Sequence, residues 1–187
     1  MQQGLTDSVT LVLGGVRSGK SRYAQQLAER AVKVTFVATA EHRDDPEMRL
    51  KIDRHRADRP LAWTTVEEPL HLSAAIHAAA STSDAILVDC LTLYAANLLE
   101  ACGGDELKLQ SEISGLCEAL KTAPCCIILV SNEVGSGVVP AYESGRKFRD
   151  LVGEINQRVA AVSNTVLLMV AGFPLALKGS VPKEIGS

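Results

Sequence analysis

Gly14-Gly15-Val16-Arg17-Ser18-Gly19-Lys20-Ser21 has the form G-x-x-x-x-G-K-S. Glycines let the backbone curl until successive N–H groups point at phosphate oxygens, a lysine reaches the β/γ-oxygens of a triphosphate, and a serine hydroxyl ligates magnesium. The flanks agree with that reading. Val9-Thr10-Leu11-Val12-Leu13 is a short, partly β-branched run that suits a strand buried on both faces. After the loop, Ala24, Leu27, Ala28 and Ala31 recur at helical spacing, so a helix beginning near Ser18 aims its free amides and dipole at the anion. The competing reading is an ordinary strand-turn-helix that matches the pattern by coincidence.

Apolar runs recur at Val34 to Ala38, Ala85 to Val88, Cys126 to Val130 and Thr165 to Val170, separated by segments of helical periodicity. That alternation predicts an α/β fold with a mainly parallel sheet flanked by helices. The helices are expected over Ser18–Ala31, Pro46–Ala57, Pro69–Ala80, Leu91–Ala101, Glu106–Thr122 and Tyr142–Ser163. The Gly/Pro-bearing tail after Val170 reads as linker-like and partly mobile. At 187 residues the chain suits a single domain over 1–187, able to bury a core without disulfide or metal staples.

Composition narrows the class of protein. A net charge of −3 without a long Lys/Arg block argues against a nucleic-acid partner. No apolar stretch approaches the roughly 20 residues a membrane helix needs, and the polar start lacks a secretory signal's pattern, so no membrane and a cytoplasmic location are expected. Five cysteines without C-x-x-C spacing read as reduced core residues.

In open parallel sheets ligands sit beyond the carboxyl ends of the strands. The residues there are Thr39-Ala40-Glu41 after the second run, Asp89 after the third, and Asn132-Glu133 after the fourth. Asp89, a carboxylate closing an apolar strand, suits an acid near the magnesium of a bound triphosphate, with Ser21 as the other protein ligand. Helix capping is the alternative reading of Asp89, Thr39 and Asn132. Glu67 and Glu68, before Pro69, would by themselves mark only a helix start. His55 lies among Arg54, Arg56 and Arg59; a solvated surface histidine is the ordinary reading, whereas a nucleophilic imidazole would need neighbouring cations to offset developing phosphate charge.

Taken in order, the motifs resemble the bifunctional adenosylcobinamide kinase/adenosylcobinamide-phosphate guanylyltransferase family of cobalamin biosynthesis. They are the Gly14–Ser21 loop, Ala38-Thr39-Ala40, Glu47-Met48 followed by His55 and Arg59-Pro60, and Trp63 with Glu67-Glu68-Pro69-Leu70. Val88-Asp89-Cys90-Leu91-Thr92 with Asn97-Leu98-Leu99, Ser131 to Pro140, Phe148-Arg149-Asp150, Gly153 and Asn156-Gln157 complete the set. Val16 replaces an alanine of the family's loop, and Arg54 stands where some relatives carry a second histidine.

The resemblance implies a RecA-like P-loop NTPase fold and two reactions. ATP or GTP phosphorylates the aminopropanol hydroxyl of adenosylcobinamide, and GTP then gives GMP to that phosphate through a covalent GMP-histidine. It further implies His55 as the nucleophile and Gly14, Gly15, Val16, Arg17, Ser18, Gly19, Lys20 and Ser21 as the triphosphate site. Thr39, Ala40, Glu41, Arg56, Ala57, Asp58, Arg59, Glu67 and Asp89 are implied as nucleotide contacts, with Mg2+ at Ser21 and Asp89, and a homotrimer as the assembly. A P-loop kinase of another small molecule, or a nucleotide-switch binding module, are the competing functions.

Overall fold

The computed structural model of the chain describes residues 8–40 and 60–182. The expected helix over Pro46–Ala57 lies outside the described residues. The strands are β1 (Val9–Gly14), β2 (Val34–Ala38), β3 (Thr64–Glu67), β4 (Ala85–Asp89), β5 (Cys126–Asn132), β6 (Thr165–Val170) and β7 (Phe173–Lys178). The helices, numbered among the described residues, are α1 (Lys20–Ala28), α2 (Leu72–Ala80), α3 (Leu91–Cys102), α4 (Glu106–Thr122) and α5 (Glu143–Val162). One sheet holds the strands in the order β3-β2-β4-β5-β1-β6-β7. All neighbours run parallel except β6 and β7.

Because successive strand residues face opposite sides, each central strand feeds two cores. Leu11, Leu13, Ile86, Val88, Ile127 and Leu129 pack with α2–α5 side chains such as Ile76, Tyr94, Leu116 and Ile155. Val12, Phe36, Leu87, Ile128 and Val130 pack on the other face with Tyr23, Ala24 and Leu27 of α1. Each large aliphatic side chain buried this way contributes about 1.5–3 kcal/mol. The continuous apolar runs visible in the sequence are therefore the strands covered on both faces.

Two strands depart from the sequence expectations. β3 carries Thr64, Thr65, Val66 and Glu67 at one edge of the sheet, mostly exposed, so no apolar run betrays it. The tail after Val170 is not a linker. It turns through Ala171 (φ 51°) and Gly172 (φ 87°) and returns antiparallel as β7. Two consecutive left-handed residues suit the tight turn whose twist matches a hairpin. β7 buries little, with Phe173, Leu175 and Leu177 all exposed, so its alternation has no core to signal. Among the described residues no helix is long and apolar enough to cross a membrane.

Candidate functional site

Parallel pairing brings the strand ends to one edge. Ala38 of β2 lies opposite both Glu67 of β3 and Asp89 of β4, and Gly14 of β1 lies opposite Asn132 of β5. Glu67, Thr39, Asp89 and the start of the Gly14–Ser21 loop are thereby gathered along the carboxyl edge, as expected for the ligand side of such a sheet. Glu41, His55, Arg56, Ala57, Asp58 and Arg59 lie outside the described residues.

The loop has the form of a phosphate cradle. Arg17 (φ 58°) and Gly19 (φ 93°) are left-handed, curling the chain into α1. Gly14 has no room for a side chain: a Cβ there would run into the Ser18 hydroxyl and stand 3.0 Å from the Met169 carbonyl oxygen. Gly15, by contrast, faces open space. The β6–β7 turn supports the loop from behind, since the Gly172 N–H donates to the Ser18 carbonyl at 3.0 Å. A Cβ on Gly19 would sit 3.3 Å from the Gly172 Cα. The tail that sequence reading set aside is thus a wall of the cradle.

Several groups in this region await partners. α1 starts at Gly19 without a side-chain cap, leaving a helix N-terminus suited to an anion. The Ser18 Oγ and the Asn132 Oδ1 are buried without a hydrogen-bond partner, as is the Oδ1 of Asn156, whose Nδ2 donates to the Asn132 carbonyl at 3.1 Å. Lys20 folds back and donates from Nζ to the Gly15 carbonyl at 3.1 Å. Burial lowers its pKa, while the neighbouring Cys90 and then Asp89 pull it up. Lys20 and Asp89 thus interact electrostatically along the carboxyl edge.

Thr39, expected from the resemblance as a nucleotide contact, spends its side chain inside the protein. It is fully buried, its hydroxyl donates to the Cys90 carbonyl at 2.7 Å, and the same oxygen accepts the Cys90 N–H at 2.8 Å. A hydroxyl has one proton, so this one has none left for a phosphate oxygen. Asn97, a member of the Asn97-Leu98-Leu99 motif, carries no assigned role in the sequence. Its Nδ2 donates to the carbonyls of Thr39 at 2.9 Å and Pro69 at 3.1 Å, and the residue is buried in α3. The available signal was an amide on the otherwise apolar face of Leu91–Leu98. Glu68, read from sequence as a helix-start residue, orders the turn that leads into α2: its Oε1 accepts the N–H groups of Leu70 at 3.0 Å and His71 at 2.8 Å, while the helix itself starts without a side-chain cap.

Hard oxygen donors suit magnesium, and Ser21 beside the cradle and Asp89 at the end of β4 are of that type. The cysteines offer no alternative metal chemistry among the described residues, where no three His, Cys, Asp or Glu side chains cluster. Burial, then the Asp89 charge, pushes the Cys90 thiol up to about 11, so it stands neutral beside the site.

Comparisons with known proteins agree with this arrangement. Solved structures similar to the chain include the EscN ATPase of the enteropathogenic E. coli type III secretion system, with a TM-score of 0.58 and 13% identity. That match covers 88% of this chain and 43% of EscN. The flagellar accessory protein FlaH of Methanocaldococcus jannaschii matches with a TM-score of 0.53 and 15% identity over 95% of this chain and 83% of FlaH. At such identities the likeness establishes the fold alone. Sequence relatives are closer. The bifunctional adenosylcobalamin biosynthesis protein CobP of Pseudomonas aeruginosa is 47% identical over 170 residues, covering 90% of this chain and 96% of CobP. The corresponding CobU of Escherichia coli K12 is 40% identical over 179 residues, covering 90% of this chain and 98% of CobU. Residues 10–177 match the family described as cobinamide kinase / cobinamide phosphate guanyltransferase. The chain belongs to that family.

Proposed function

We propose that this protein is the kinase and guanylyltransferase of adenosylcobalamin biosynthesis, phosphorylating adenosylcobinamide and then converting the phosphate to adenosylcobinamide-GDP. The observation that carries the reading is a phosphate cradle and an acidic strand end on one sheet edge, in a chain matching this family over residues 10–177.

In the first reaction the acceptor hydroxyl attacks the γ-phosphorus of ATP or GTP; a P–O bond forms, the bond to the nucleoside diphosphate breaks, and the hydroxyl proton leaves. Lys20 and the amides of the Gly14–Ser21 loop hold the triphosphate in line, which is most of what such a transfer asks of a protein. In the second, we assign His55 as the nucleophile. Its neutral imidazole nitrogen attacks the α-phosphorus of GTP, a P–N bond forms and pyrophosphate leaves. The phosphate of adenosylcobinamide phosphate then displaces the imidazole, forming the P–O–P link and freeing His55. Arg56 and Arg59 would offset charge at the α-phosphate, with Glu41, Ala57, Asp58 and Glu67 as nucleotide contacts. Ser21 and Asp89 would hold Mg2+, which neutralises phosphate charge when bound.

A cytoplasmic location accords with these substrates. The homotrimer implied by family resemblance has a candidate surface in the exposed row Phe173, Leu175 and Leu177.

The deciding experiment incubates the protein with α-labelled GTP and Mg2+. Wild type is expected to take up an acid-labile, alkali-stable label, as a phosphoramidate does, and His55→Ala is expected to take up none while keeping kinase activity. A folded, GTP-binding wild type without label would sink the covalent mechanism.

A further inference from the structure

The carboxylate at the end of β4 sits on a short backbone segment that is gripped unusually completely. Three consecutive main-chain groups after the Asp89 Cα are bound by one residue. The Asp89 carbonyl accepts the Thr39 N–H at 3.3 Å, the Cys90 N–H donates to the Thr39 Oγ1 at 2.8 Å, and the Cys90 carbonyl accepts the Thr39 hydroxyl proton at 2.7 Å. Thr39 is itself held, because Asn97 donates to its carbonyl and to that of Pro69, tying the ends of β2 and β4 to the chain that leaves β3. Thr39 is 0% exposed and Asn97 6%.

Water cannot compete for these bonds, so removing one partner strands buried polar groups. The strength of the grip is also placed where it has consequence. Strand pairing already fixes Asp89 up to its own Cα opposite Ala38, and the main chain then departs from the sheet toward α3. Without a clamp beyond that point the backbone carrying the carboxylate would be free to rotate just where an acid must meet a fixed cradle.

We propose that Thr39 and Asn97 are positioning residues that hold the Asp89 carboxylate in register with the Gly14–Ser21 cradle, Thr39 acting through the Asp89–Cys90 backbone and Asn97 through Thr39. This rests on the reading of Asp89 as the acid of the nucleotide site. Neither side chain touches the nucleotide: the hydroxyl proton of Thr39 and both carbonyl contacts of the Asn97 amide are used inside the protein.

A double-mutant cycle on the full-length chain tests it, using Asp89→Asn, Thr39→Val and their combination, with Thr39→Ser as the conservative variant. Valine keeps the shape of threonine and removes only the hydroxyl. Thr39→Val is expected to lower kcat for both reactions by about 10–100-fold, the range for residues that orient a metal-binding group. Mn2+ affinity of the GDP complex, read by the loss of the free-ion electron paramagnetic resonance signal, should weaken alongside. Thr39→Ser should restore both readouts. In the Asp89→Asn background Thr39→Val should cost nothing further. An equal loss from Thr39→Val with and without the carboxylate, or unchanged Mn2+ affinity, overturns the proposal. Full activity in Asp89→Asn alone would instead remove the reading of Asp89 on which it rests. Should Thr39→Val not fold, Asn97→Ala leaves the Thr39–Cys90 pair in place and is read in the same cycle, with a smaller loss that again vanishes without Asp89.

Discussion

The two halves of the carboxyl edge are built on opposite plans. At the β1 end, Gly15, Val16 and Arg17 are exposed, α1 lacks a side-chain cap, and the Ser18 and Asn132 side chains hold buried oxygens without partners. At the junction of β2 and β4, the Thr39 hydroxyl, the Cys90 N–H and the Cys90 carbonyl are paired inside the protein. Unsatisfied polar groups cost free energy, and the unpaired Ser18 hydroxyl and the uncapped amides at the start of α1 are donors that a phosphate is expected to complete. On the proposed reading, the site for a moving triphosphate is left incomplete, whereas the acid that would meet it is fixed beforehand.

The largest effect should come from emptying the cradle. Lys20→Met keeps the length of the side chain and removes its charge, and is expected to cost about 10³-fold in kcat/KM for both kinase and guanylyl transfer, as loss of a pre-aimed cationic group does. Steady-state assays of each reaction would check it. If only one reaction suffered, the two transfers would not share this cradle and the contrast between the halves would hold for one of them alone.

A smaller effect separates glycines needed for packing from glycines needed for ligand. Gly14→Ala forces a Cβ against Ser18 and the Met169 carbonyl, costing about 1–3 kcal/mol of stability. Gly15→Ala meets nothing within 4 Å. Thermal unfolding without nucleotide should therefore show a Tm drop of several degrees for Gly14→Ala and almost none for Gly15→Ala. Equal drops would mean that the cradle is preformed by both glycines and is less open than its exposure implies.

The same contrast explains what could be read from the chain. The cradle was legible because its residues are selected one by one for phosphate chemistry, at fixed spacing and next to an apolar strand. The five double-faced strands were legible because burial on both sides demands continuous apolar runs. β3 and β7 were not, since edge strands such as Thr64–Glu67 and Phe173–Lys178 owe their place to neighbours rather than to a core. The sequence marks Thr39 only by its place after a strand. A hydroxyl after a strand reads equally as cap, ligand or brace, and only the 51-residue separation from Cys90, closed by the β2–β4 pairing, decides among them. Asn97 needed the same closure, bridging to Thr39 across 58 residues.

The smallest expected effect leaves activity aside and probes the fixed half directly. Cys90 lies beside the site, whereas Cys102 is partly exposed in a cavity of about 240 Å³ between α3, α4 and the turn before α2, with Leu70, Leu98 and Glu112 around it. Alkylation requires the thiolate. Burial raises both thiols, but Cys90 is raised to about 11, so at pH 8 only about one part in 10³ of it is ionised, and that part is enclosed. Iodoacetamide at pH 8, read by peptide mass spectrometry, should therefore label Cys102 and leave Cys90 unmodified over the same hours, with or without nucleotide. Raising the pH should speed Cys102 first, because the thiolate fraction grows tenfold per pH unit below each pKa while access to Cys90 stays closed. Labelling of Cys90 that nucleotide suppresses would mean that the β2–β4 junction opens in the empty protein, and that the acid, like the cradle, is brought into place by the ligand.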